Sequence, residues 1–215
     1  MNRIAKWLAN SRVTGWVSLV TLLYPAAEWV VSASWRGFYS YREDPVGPLG
    51  VAFCGPQGNW PCSDLYRVTN VALVATGLAV AFVAVSLVVQ RVIDRGPAAA
   101  LAVGGVAFAG AGVVTQHLSY AWNSTLLAVF MTLGALNAIF VALSSSTQLT
   151  GERRLVAALA GTVAFIGYFM FIGVHDAFGH GGAQRMAIYG VLVTVIALGT
   201  AGLRTATPAL VGSRE

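Results

Sequence analysis

Three histidines, the carboxylates near them and one pair of cysteines are the residues of this chain whose types and spacing could support chemistry. His117 stands in Thr115-Gln116-His117-Leu118-Ser119-Tyr120, and His175, Asp176 and His180 stand in His175-Asp176-Ala177-Phe178-Gly179-His180-Gly181-Gly182. Glu28 lies within an apolar run, just after Pro25. Imidazole and carboxylate together form a normal ligand set for a first-row metal, and a catalytic zinc uses three protein ligands plus water. His117, His175 and His180 are therefore the candidate metal ligands, and Asp176 and Glu28 the candidate catalytic proton acceptors; the three histidines and Glu28 are expected to approach one another because they share one depth, with Asp176 and Tyr120 as supporting groups. Spacing qualifies this reading. Positions 175 and 180 are separated by about 140° on a continuous helix, so aiming both at one ion needs a helix break, which Gly179, Gly181 and Gly182 could supply. The competing reading is a set of interfacial histidines bonded to backbone or lipid headgroups. Haem is a third possibility, with His117 and His175 as axial ligands, although no histidine near the opposite face offers a second haem.

The elements that must position these groups are apolar helices. Six runs, 15–35, 68–90, 97–115, 122–144, 155–174 and 186–203, meet or approach the length of about 20 residues that crosses a hydrocarbon core. The composition agrees: 57% hydrophobic and 10% charged, with mean hydropathy +0.71. In 215 residues these spans leave no room for a separate soluble domain. The expected fold is all-α, a single polytopic six-transmembrane-helix bundle over 1–215 with one long outer connection at about 36–66.

Basic residues orient the bundle. Arg3, Lys6, Arg12, Arg91, Arg95, Arg153, Arg154, Arg204 and Arg214 fall on one side, against Arg36, Arg42, Arg67 and Arg185 on the other. This bias predicts cytoplasmic termini and places all three histidines and the long connection outside. The net charge of +5 then requires no nucleic-acid partner, since the excess lies where anionic headgroups attract it. Ser32-Ala33-Ser34 resembles a signal-peptide cleavage site, but the apolar run is too long for a signal core, so it is expected to persist as the first span.

Cys54 and Cys62 both fall in the long connection. In an oxidising compartment two thiols this close form a disulfide most simply, contributing ~2–3 kcal/mol by chain entropy. A metal or redox pair is the rival, without the Cys-x-x-Cys spacing that tunes a redox couple. In the third span Ala98, Ala102, Gly105, Ala109 and Gly112 form a stripe of small residues suited to close helix packing. Asn70 and Asn137 are expected to hydrogen-bond between helices. Glu28, costly in lipid by ~2.5–3.5 kcal/mol, should face the interior and have a partner, which leaves either a functional group or an Arg-paired or protonated one.

The chain resembles the prokaryotic six-helix membrane proteins grouped as domain of unknown function 998. The likeness lies in Tyr24-Pro25, Ser63-Asp64-Leu65-Tyr66-Arg67-Val68-Thr69-Asn70, Gly77, His117, Asn137, and Gly182 with Arg185. It implies a fold and a membrane location, and no reaction. Membrane hydrolases of the alkaline ceramidase and progestin-and-adipoQ receptor group are similar in placing histidines, an aspartate and a serine around zinc. They have seven helices, a Ser-x-x-x-His and a His-x-x-x-His. Here Val113 stands four before His117 and the later pair is His175 and His180, so only the chemical analogy carries over.

These features lead to an expected multi-pass protein of the bacterial plasma membrane, whose near-exclusive use of Arg over Lys fits a GC-rich genome. It is expected to be a binding or accessory protein that engages membrane lipids or another membrane protein through the outer connection and its aromatics (Trp35, Phe38, Tyr39, Tyr41, Trp60, Tyr66), with an outward-facing polar His/Asp/Glu site; a zinc-dependent hydrolase of outer-leaflet lipids and a haem-binding or proton-coupled carrier are the alternatives. The orientation has a direct test. A cysteine introduced near Gly181 should react with an impermeant thiol reagent in intact cells and one near Glu152 should not; reversed labelling would invert the topology.

Overall fold

The computed structural model describes residues 3–52, 54, 61–144, 149–173 and 177–203. A short helix, α1 (Arg3–Leu8), precedes six helical spans, each long and apolar enough to cross a membrane. The first span, Ser11–Ala33, is built from α2 (Ser11–Val20) and α3 (Leu23–Ala33). The others are α4 (Tyr66–Val89), α5 (Arg95–Val113), α6 (Tyr120–Leu143), α7 (Gly151–Ile172) and α8 (Gly179–Gly199). No strand occurs among the described residues; one isolated bridge joins Arg36 to Cys62.

The break in the first span has a local cause. Pro25 has no N–H to donate and its ring crowds the carbonyl of residue 21, so a continuous α-helix cannot pass through. The backbone tightens instead, with Thr21 N donating to Ser18 O at 3.3 Å and Leu22 N to Leu19 O at 3.1 Å. α3 then restarts with Pro25 in its first turn, where the missing N–H costs little. Asn10 caps α2 by accepting from Arg12 N at 3.0 Å.

Consecutive spans pack side by side, and α8 lies against α2, α4, α6 and α7, making it the most enclosed helix. The stripe on α5 serves packing within the bundle. A Cβ on Gly105 would stand 2.6 Å from the Gly77 carbonyl oxygen and 2.7 Å from the Ala81 nitrogen of α4. Without side chains in the way the two backbones touch, which is how helices gain contacts in lipid, where no hydrophobic force drives them together. Phe108, Phe130, Met131, Ile188 and Val195 fill the core between α5, α6 and α8.

The asparagines act differently from expectation. Asn137 Nδ2 donates within its own helix, to Leu133 O at 2.5 Å, and Asn70 Nδ2 reaches the connection, at Gly50 O 3.0 Å away. A carbonyl one turn back is the nearest acceptor for Asn137, while Asn70 sits at the helix end where loop carbonyls are within reach. Asn123 joins two elements, donating to Ala111 O and Val114 O, both at 2.9 Å.

The last span starts at Gly179, not near residue 186. Gly179, Gly181 and Gly182 form its first turn and do not break it. Gly179 has φ +68°, and a Cβ on Gly181 would stand 2.7 Å from Arg185 Nη1; these glycines let the connection lie directly on the helix, where Gly182 N donates to Arg42 O at 2.8 Å. The connection is closed at its base by Arg36 N donating to Cys62 O at 2.7 Å, by Ser34 Oγ with Ser63 Oγ at 2.6 Å, and by the exposed Arg36–Asp64 pair.

Cys54 and Cys62 are joined as a disulfide, with Cα atoms 5.3 Å apart. Protein isolated without reductant should therefore show neither thiol to an alkylating reagent until reduced, read as a mass shift. Two reactive thiols before reduction would contradict the bond.

Candidate functional site

The only buried ion pair among the described residues joins the first span to the last. Glu28 is fully buried and Arg185 is 5% exposed. Arg185 Nε donates to Glu28 Oε1 at 2.6 Å, and Tyr189 OH donates to Glu28 Oε2 at 2.6 Å. Arg185 and Tyr189 are one turn apart on α8, so both reach the same carboxylate from one helix face. Glu28 lies one turn beyond Tyr24 on α3, and Tyr24 packs edge-on against Phe108 and Tyr189 at centroid distances of 5.2 and 6.3 Å.

The outer half of the guanidinium holds the connection. Arg185 Nη1 donates to the carbonyls of Tyr41 and Asp44, each at 2.7 Å, and Nη2 donates to the Tyr39 hydroxyl. The Tyr39 and Tyr41 rings flank the cation, with centroids 5.5 and 4.9 Å from its carbon. A turn presents those carbonyls: Asp44 N donates to Ser40 O, and Ser40 N to Asp44 Oδ2, both at 2.8 Å. Tyr39 OH continues to Pro45 O at 3.3 Å, and Val46 N donates to Gln184 Oε1 at 2.9 Å. Burial raises the Tyr39 hydroxyl well above the usual tyrosine range, the nearby Arg185 charge opposing it. Every polar arm of Arg185 is thus taken up, as a charge withdrawn from water requires.

Glu28 faces the interior with a partner, as its depth demands. The partners of its carboxylate are Arg185 and Tyr189, not a histidine. His117 lies exposed in the turn after α5. His180 is exposed near the start of α8, its ring stacked on Phe171 at 4.2 Å. His175 and Asp176 lie outside the described residues. Among the described residues no three His, Cys, Asp or Glu side chains come together. Sequence reasoning does not single out Arg185, Tyr189 or Gln184 as members of a site, and it reads Tyr39 and Tyr41 as aromatics of the outer connection available to a ligand, whereas here they close around Arg185. The available signal was Glu28's need for a cation, with Arg185 and Tyr189 at helical spacing to supply it.

The neighbouring face of α3 forms one wall of a groove open at the surface of the bundle. Leu23, Ala26, Ala27 and Val30 face Val68, Val71 and Ala72 of α4 across about 460 Å³, with Arg67 at the mouth. The spacing 23, 26, 27, 30 is one stripe of a helix, distinct from the stripe of Tyr24, Glu28 and Val31 that is buried inside. The ion pair therefore sets the direction of the helix that forms the groove.

No family model, no curated protein and no solved structure matches this chain.

Removing one member of a buried pair strands the other, at a cost of ~3–5 kcal/mol. Glu28→Ala and Arg185→Ala should each lower the melting temperature in detergent sharply, and the double substitution Glu28→Leu with Arg185→Met should recover part of the loss. Single variants that melt like the parent would show that the pair carries no stability. The Tyr39 hydroxyl adds a pH dependence. Its folded value lies above the unfolded one, so its contribution is complete below pH ~10 and declines as pH rises beyond that; Tyr39→Phe should flatten the alkaline limb of a melting-temperature profile.

Proposed function

We propose that this protein is a lipid-binding accessory protein of the bacterial plasma membrane, with cytoplasmic termini and the 36–66 connection outside. The groove between α3 and α4 carries this reading. A surface facing lipid usually presents convex side chains to disordered acyl tails; here small residues at the floor, Ala27 and Ala72, leave a concavity that one tail can fill. A concave, largely pre-formed and apolar site with a single polar group at its mouth is the usual form of a ligand site. The Glu28–Arg185 pair supports the same reading, because it holds α3 against α8 and the connection over both, so the groove exists before the ligand arrives. Such pre-organisation reduces the ordering cost of binding.

The exposed aromatic residues fit a protein that meets lipid along its whole length. Trp7 and Trp16 lie toward one end, and Trp29, Tyr120 and Trp122 toward the other, all more than 60% exposed. Amphipathic rings at these levels anchor spans at the interfaces.

Filling the groove tests the proposal. Native mass spectrometry of the protein extracted in mild detergent should show a retained phospholipid in the parent and its loss in Ala26→Trp, a substitution at an exposed position that leaves the core untouched. Equal lipid retention by both, or none in the parent, would refute a lipid site at this groove.

A further inference from the structure

We infer that the groove selects an anionic phospholipid, one acyl chain lying between α3 and α4 and the headgroup phosphate held by Arg67. This rests on the lipid-binding reading above and adds to it the charge of the ligand.

Arg67 is exposed at the first turn of α4, where the groove opens. Its Nε donates to the Tyr66 hydroxyl at 3.0 Å and its guanidinium carbon lies 5.6 Å from the same ring. It makes no ion pair among the described residues. The carboxylate closest to it in sequence, Asp64, is already held by Arg36 at 2.5 Å, and the first turn of α4 contains no acidic residue. The mouth of the groove thus carries one positive charge without an ion-pair partner among the described residues, and its Nη groups meet no protein acceptor among them. A guanidinium fork matches two phosphate oxygens at once, which an ammonium cannot do.

Charge decides between lipid classes at such a mouth. A zwitterionic headgroup brings its own cation, which Arg67 repels once the phosphate is engaged. An anionic headgroup brings none. The acyl chain supplies the affinity common to both classes, so the preference between them resides in Arg67. One basic residue near a bilayer surface shifts the distribution of anionic lipid by roughly five-fold.

The full-length protein in nanodiscs of equimolar phosphatidylglycerol and phosphatidylcholine provides the test. A photo-crosslinking residue is placed at Leu23 in the groove wall, and in a separate sample at Leu159 on the lipid-facing side of α7 as the bulk reference. Adducts are counted by mass spectrometry. The phosphatidylglycerol to phosphatidylcholine ratio at position 23 should exceed that at position 159 by roughly five-fold. Arg67→Gln should bring the two ratios together with the total adduct at 23 unchanged, while Arg67→Lys should keep part of the enrichment. Abundant adducts at 23 in the same ratio as at 159, or enrichment that persists in Arg67→Gln, overturn the choice of an anionic headgroup and leave the lipid-binding reading standing. Absence of adducts at 23 where 159 yields them overturns both.

Discussion

The buried pair of Glu28 and Arg185 is the constraint from which the arrangement of this bundle follows. Neither charge is tolerable alone at that depth, so α3 and α8, the carriers of the two charges, must be neighbours although they belong to the first and last spans. Once they are, the remaining donors of Arg185 require acceptors, and the carbonyls of Tyr41 and Asp44 provide them. The long connection is thereby drawn down onto the start of α8, and the glycines there exist to admit it. Placement of α3 in turn fixes which of its stripes faces α4. A single electrostatic requirement thus propagates from the interior to the connection and out to the apolar groove between α3 and α4.

Most of the fold was legible in the sequence because lipid imposes a simple rule: about 20 apolar residues must run together in every span. Five of the six spans fall within a few residues of expectation. The last does not, and the reason is physical. Gly179 to Arg185 is too polar for a hydropathy reading to include, yet these residues are helical because their polarity is consumed by the connection and by α3: Arg42 O accepts from Gly182 N–H, Val46 N–H donates to Gln184 Oε1, and Glu28 accepts from Arg185. Such long-range partners, separated by more than a hundred residues, leave no periodic trace. Hydropathy alone therefore puts Arg185 in a polar gap, whereas it lies inside α8.

The site was legible in a different proportion. That Glu28 must have a partner followed from its depth alone, and the pairing with arginine was one of the readings open to it. A convergence of Glu28 with the histidines rested on shared depth, which places groups at one level without saying which helices touch. Depth is a single coordinate; neighbourhood around the bundle axis needs a second, and the small-residue contacts of Gly77 with Gly105 and of Gly190 with Ala164 are what set it. The groove at Arg67 was invisible for the same reason, because it belongs to a pair of helix faces and to neither helix alone.

The separation of the two charges along the chain also has a temporal meaning. Glu28 is made 157 residues before Arg185, and at ~5–20 residues per second the ribosome needs about 8–30 s to close that gap. Throughout this interval the carboxyl of Glu28 stands without the partner that Arg185 supplies in the finished fold. Arrival of α8, the latest made of the six described spans, brings that partner to it. A nascent chain truncated before α8 would hold every other span and still lack the contact that ties the first of them in place, giving a quality-control system a simple difference between finished and unfinished molecules.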